Sequence, residues 1–195
     1  MNKIMNKIKY RETANDKIYT PLPVALEMIK MCNIKPTDKV LDCSKGAGVF
    51  YNNFPECEKY WCEIDEDVVG NNKRDFFEFN ERVDWIIGNP PFSMWNAWLE
   101  HTMKLTDKFC YIMNTMNLSK GRLHNILKNG FGITQIKILN IRYWFGCSYI
   151  VIFEKHKPSL MTCIENDLFC DICNKSSCKR GKKGYDFNKC SVVKQ

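Results

Sequence analysis

The residues Asp84-Trp85-Ile86-Ile87-Gly88-Asn89-Pro90-Pro91-Phe92 constrain this chain more than any others. An apolar run of strand length stops at an amide, two prolines and an aromatic ring. Pro91 disfavours the helical region at Pro90 and neither proline carries an N–H, so the loop is stiff and offers acceptors rather than donors. Helices and further strands alternate around this run. Thr20-Pro21 opens a helix on which Val24, Ala25, Met28, Ile29 and Cys32 recur at helical spacing. Lys39–Asp42 is a short strand, turned by Lys45-Gly46-Ala47-Gly48 into the helical-looking segment 49–53. Strands are predicted at 60–64 and 84–88, with a shorter extended piece at 76–79. Ser93 then caps a helix that buries Met94, Trp95, Trp98, Leu99 and Met103, followed by a strand at 109–113 and a helix at 119–128. Two β-rich runs, 135–141 and 148–154, flank Trp144-Phe145-Gly146 at a spacing that suits an antiparallel pair. The order predicts an α/β fold: a mostly parallel sheet with one antiparallel strand near the edge.

The chain has 195 residues, 45% hydrophobic and 26% charged, enough for one substantial core. The predicted organisation is a basic N-terminal arm at 1–18, a main domain at 19–157 and a Cys-rich basic tail at 158–195. Apolar runs such as 149–153 are too short to span a bilayer, and the lysine-dotted N-terminus lacks the apolar stretch of a signal peptide. An intracellular protein, in cytoplasm or nucleus and with no membrane partner, is expected. The net charge of +7 favours a polyanionic partner, although solubility alone can account for a modest basic excess.

In an open parallel sheet the ligand crevice lies beyond the carboxyl ends of the strands, so residues just after each strand carry the function. After the first strand come Asp42, Ser44, Gly46 and Gly48, where glycines allow close backbone approach to a ligand. A tight connection alone would give the same glycines. Glu63 ends the next strand, and an acid there can accept hydrogen bonds from two ribose hydroxyls. Asp75 beside Phe76 suits the amino group and flat face of an adenine ring. At Asn89, the side-chain oxygen and the Pro90 carbonyl can accept both hydrogens of one planar amino group. Such an amine is a poor nucleophile, because its lone pair is delocalised; two fixed acceptors pull it toward a tetrahedral geometry without a general base. Phe92 can stack on the base, which must be unpaired or extruded from a duplex to reach the loop.

From about Tyr19 to Lys157 the chain resembles the class I, Rossmann-like, S-adenosylmethionine-dependent methyltransferases that act on amino groups, and within them the adenine N6 enzymes with an Asn-Pro-Pro-Phe motif. Asp42–Gly48 resembles their acid-x-x-x-Gly-x-Gly cofactor loop, Glu63 their ribose-binding acid, and Asp75 with Phe76 their adenine-contacting pair. Asn89, Pro90, Pro91 and Phe92 resemble their catalytic tetrapeptide. Thr20 and Pro21 resemble the threonine–proline segment that borders the methionine part of the cofactor in adenine enzymes. The resemblance implies S-adenosyl-L-methionine as cofactor and a nucleic acid as substrate, DNA before RNA. Guanine-amino and protein-glutamine methyltransferases share the tetrapeptide, and a non-catalytic nucleic-acid-binding subunit is the alternative from another class. The chain departs from the family at Cys43, where proline is common, and at the bulky Lys45. Only eleven residues separate Glu63 from Asp75, too few for a full helix and strand, so the second helix is missing or vestigial. No room remains for a separate target-recognition domain, which leaves sequence choice relaxed, to the tail, or to a protein partner.

Of eleven cysteines, six (Cys32, Cys43, Cys57, Cys62, Cys110, Cys147) lie in apolar segments like ordinary buried thiols. In the tail, Cys170, Cys173, Cys178 and Cys190 have a spacing that suits a structural zinc, the competing reading being a tail with free thiols. Lys179-Arg180-Gly181-Lys182-Lys183 would then form a phosphate-facing loop, or merely a solvated charge run.

Overall fold

The computed structural model describes residues 18–141 and 147–162. The basic arm up to Lys17, Trp144-Phe145-Gly146, and the tail from Cys163 with its four candidate zinc ligands and basic loop lie outside the described residues. The chain divides into two compact units, Met1–Met161 and Thr162–Gln195, and the fold below is that of the first.

Helix α1 (Leu22–Cys32) starts after Pro21, which needs no N–H of its own there, and ends at Asn33, whose left-handed backbone (φ 48°) lets its N–H reach the Lys30 carbonyl. Strand β1 (Lys39–Asp42) leads through the glycine turn to a single 3-10 turn at Tyr51–Asn53, so the helix expected from residue 49 is not built. Strand β2 (Glu58–Trp61) precedes a one-turn helix α2 (Glu66–Val69), the remnant of the second helix. The expected extended piece at 76–79 is instead a 3-10 turn, Phe76–Glu78, because the Asp75 carboxylate captures the Phe77 N–H at 2.9 Å and bends the chain. Strand β3 (Trp85–Gly88) is buried throughout, and a 3-10 turn at Phe92–Met94 leads into helix α3 (Trp95–Leu105). Since α3 begins at Trp95, Met94 projects outward, 45% exposed, contrary to the expected buried face. Strand β4 (Lys108–Asn114), helix α4 (Lys120–Lys128) and strands β5 (Phe131–Leu139) and β6 (Ser148–Lys155) complete the order.

The six strands form one sheet in the order β2-β1-β3-β4-β6-β5, parallel except for β6, which is antiparallel to both of its neighbours. This is the expected α/β, Rossmann-like arrangement. Crossover α/β connections place helices on both faces, which explains why the central strands are apolar without alternation. Ala25, Met28 and Cys32 of α1 join a buried cluster with Val40, Trp85, Ile87, Cys110, Ile112, Ile150 and Ile152. Toward the other face, Tyr111 meets Trp95 and Thr102 of α3. Past Lys157 the chain folds back along β5, where Leu160 N–H donates to the Ile133 carbonyl at 2.8 Å and Ile133 N–H to Ser159 Oγ at 3.0 Å. Gly132 makes this approach possible: a Cβ there would lie 2.9 Å from the Pro158 carbonyl carbon. No helix among the described residues is long and apolar enough to cross a membrane.

Candidate functional site

The parallel strands β1, β2 and β3 end at one edge of the sheet, and a cavity of about 780 Å³ opens there. Thr20, Ser44, Gly46, Glu63, Asp75, Phe76, Asn89 and Pro91, all singled out from the sequence, line it. Pro21, Asp42, Gly48, Pro90 and Phe92 are not part of the lining. They act on it through the backbone they hold or belong to the adjoining loop.

Glu63 ties the glycine loop to the end of β2. One carboxylate oxygen accepts the Gly46 N–H at 2.7 Å, and the other accepts the Ile64 and Asp65 N–H groups, both at 2.8 Å. Lys45 N–H adds a bond to the Cys62 carbonyl at 2.9 Å. Of the roughly four lone-pair sites of the carboxylate these bonds use three, and the oxygen that accepts from Gly46 retains one for a ligand hydroxyl. Gly46 and Gly48 both have positive φ (50° and 84°), which side-chain-bearing residues rarely adopt. A Cβ on Gly48 would also fall 2.8 Å from Asn52 Nδ2.

Asp42 sits beneath the loop, wholly buried, its carboxylate accepting the Tyr51 N–H at 3.1 Å and the Ser44 N–H at 3.4 Å. Loss of hydration pushes its pKa up to about 7, against the pull of those two backbone donors. Cys43 and Cys62 line the cavity, but burial pushes each thiol up to about 12, so neither supplies a thiolate nucleophile. A close backbone passage joins the two halves of the site. Ser44 Oγ donates to the Asn89 carbonyl at 3.1 Å, and a Cβ on Gly88 would lie 3.0 Å from Cys43 Sγ.

Asn89 Nδ2 donates to the Ile18 carbonyl at 3.0 Å, which fixes the amide orientation and leaves Oδ1 as the acceptor. That oxygen is buried and has no partner among the described residues. A buried, unsatisfied carbonyl oxygen costs about 1–3 kcal/mol, so the position is one a donor would fill with gain. The acids of the lining, Glu63, Asp65 and Asp75, all come from β2 and the chain that follows it, whereas β3 contributes Asn89, Pro91 and Met94. The charged groups of the lining, these three acids with Lys45 and Arg74, thus gather toward the β2 end, and the β3 end is uncharged.

Arg74 and the lining role of Trp98 escaped the sequence reading, as did the contacts that Tyr19 and Lys45 make here. Tyr19 reaches across to the glycine turn, its ring 3.4 Å from where a Gly46 Cβ would stand. Trp98, expected as core, stacks on Phe76 at 4.4 Å with a 20° interplanar angle and also lines the cavity. Lys45 and Arg74 bring positive charge to its margin. Their adjacency follows from strand order, which no local pattern encodes. The candidate zinc cysteines 170, 173, 178 and 190 are not described, and among the described residues no group of three or more His, Cys, Asp or Glu could hold a metal. The six described cysteines are free; four are buried, Cys57 is partly buried, and Cys147 is exposed, unlike the thiols expected in apolar segments.

No family model and no curated protein sequence matches the chain. Solved structures do. PH1948 of Pyrococcus horikoshii, provisionally named an RNA methyltransferase, matches with a TM-score of 0.60 and 20% identity over 74% of this chain and 90% of its own. A modification subunit of a provisionally assigned type I restriction enzyme from Vibrio vulnificus matches at 0.54 and 16% over 80% of this chain and 48% of its own. The 23S rRNA methyltransferase ErmE matches at 0.53 and 12% over 73% and 71%. The chain shares the Rossmann-like fold of these proteins.

Proposed function

We propose that the chain is an S-adenosylmethionine-dependent methyltransferase acting on the exocyclic amino group of adenine in nucleic acid. The observation that carries this reading is the pairing, in one cavity, of Glu63 on the glycine loop with the buried, partnerless Asn89 Oδ1. The residues present fit the cofactor. Glu63 would take a ribose hydroxyl, Asp75 the adenine amino group, and the Phe76–Trp98 stack would flank the ring. Positive-φ Gly46 opposite Tyr19 leaves the backbone of the turn approachable, and Thr20 would border the methionine end. When bound, the cofactor supplies an electrophilic methyl carbon on a sulfonium sulfur.

The protein's part is to orient the amine. Asn89 Oδ1 would accept one amine hydrogen and the Pro90 carbonyl the other, which localises the nitrogen lone pair and aims it at the methyl group. The Ser44–Asn89 bond holds that acceptor pair at a fixed offset from the glycine loop. No residue has to act as general base: the nitrogen becomes acidic on methylation, and its surplus proton leaves to water. Phe92, half-buried and 6.1 Å from Trp95 between ring centroids, would stack on the base. The resemblance of the Thr20-Pro21 segment favours adenine over guanine or glutamine, and the fold relation to a restriction-modification subunit keeps DNA, and a protein partner for target choice, in view. Tritium transfer from labelled cofactor onto single- and double-stranded DNA and RNA, followed by nucleoside analysis, tests the reading. Label in N6-methyladenine supports it; label in guanine or protein only, or none, rejects it.

A further inference from the structure

The outer strand β2 has two unlike faces. Glu58 and Tyr60 point one way, where Glu58 pairs with Lys39 and with the Tyr60 hydroxyl, and the Tyr60 ring packs on Phe79. Lys59 and Trp61 alternate with them and point the other way. On that side Lys45 Nζ lies 4.5 Å and the Arg74 guanidinium carbon 4.3 Å from the centroid of the Trp61 ring. Lys45 and Lys59 also approach the Tyr51 ring, at 5.8 and 5.5 Å. Among the described residues none of these three cations forms an ion pair with a carboxylate, although the chain has many acids. Aromatic faces hold them in place instead, each such contact worth about 0.5–1 kcal/mol at an exposed site. Lys59 and Arg74 are exposed, and the one-turn α2 is all that follows β2 in place of a full helix.

Lys45 and Arg74 also line the cavity, next to Glu63. S-adenosylmethionine has no phosphate, and at the Glu63 end it would present neutral ribose hydroxyls, so it gives these cations no counterion there. Resting on the nucleic-acid reading above, we propose that Lys45, Lys59 and Arg74, set on Tyr51 and Trp61, form a docking surface for backbone phosphates of the substrate strand flanking the reacting base. The spacing agrees. Trp61 is in register with Asp42, and Asp42 with Ile87, two residues before Asn89. Two strand spacings of about 4.8 Å and a two-residue rise of about 7 Å separate Trp61 from Asn89 by roughly 12 Å. That is about three to four nucleotides of a stacked strand at 3.4 Å each. Cations held on aromatic rings at this spacing suit a single strand, whose phosphates they neutralise while one base reaches Asn89.

The test is fluorescence anisotropy of a labelled single-stranded 12-mer over a salt series, with the full chain, Lys59→Gln, Lys59→Arg and the double variant Lys59→Gln/Arg74→Gln, and cofactor affinity measured in parallel. Lys59 lies outside the cavity, so Lys59→Gln should keep cofactor affinity. The expected result is a slope of log affinity against log salt reduced by about 0.7 in Lys59→Gln and about 1.4 in the double variant. Binding at low salt should weaken severalfold, and Lys59→Arg should restore it. A slope and affinity unchanged in the double variant, while wild type binds and methylates the oligonucleotide, would overturn this surface and leave the activity standing. Wild type that binds no nucleic acid would sink both.

Discussion

Replacing Asp42 with asparagine should remove a pH dependence of stability that the buried carboxyl imposes on the wild type. The carboxyl is fully buried, and its pKa rises from 3.8 to about 7 on folding, desolvation being the main cause. Because the folded state holds the proton more tightly, the penalty for ionising Asp42 is absent below pH 3.8, grows between 3.8 and 7, and is constant above. Each tenfold difference in proton affinity is worth about 1.4 kcal/mol, so wild type loses roughly 3 kcal/mol between pH 5 and pH 8 from this group. Asparagine loses nothing over that range, but it can accept only one of the Tyr51 and Ser44 amides and turns an NH2 toward the other, at about 1–3 kcal/mol. Asp42→Asn should therefore be clearly destabilising at pH 5 and close to neutral, or better than wild type, at pH 8. Urea unfolding of both proteins at pH 5, 6.5 and 8 reads the difference, in which the titration of all other groups cancels. A gap between variant and wild type that stays constant across that range would refute the assignment of a neutral, buried Asp42.

Glu63→Ala should weaken cofactor binding by about 1–3 kcal/mol in calorimetry, because the Gly46 N–H loses its acceptor as well as the ligand losing its own. Gly48→Ala should lower both stability and cofactor affinity by about 1–2 kcal/mol, since φ 84° disfavours a Cβ; thermal and calorimetric titrations check it.

Where a single local rule decided the structure, the sequence was a sufficient guide. The apolar spacing of α1 gave its face, Asp42 and Gly88 ended their strands as read, and the two late β-rich runs pair antiparallel. Where two local preferences competed, it was not. Residues 49–53 carry helical pattern, but Phe54 stands before Pro55 and is extended (ψ 141°), which leaves one 3-10 turn. Strand β2 is shifted to Glu58–Trp61 because pairing with Lys39–Asp42 sets its register, and that information lies in β1. In the site, residues at strand ends were legible because the fold puts them there. Trp98, Tyr19 and the Lys45–Trp61–Arg74 group were not, since they meet only through the sheet order.

On the proposed function, one cavity holds a cofactor end, built on Glu63, apart from an acceptor end, built on Asn89. Measuring N6-methyladenine formation and cofactor affinity together in wild type and Asn89→Ala tests it most directly. Loss of one preorganised acceptor predicts a fall in turnover on the order of a hundredfold or more, with cofactor affinity within about twofold of wild type. Near-normal turnover in Asn89→Ala, or a parallel collapse of cofactor binding, would contradict the division of the site.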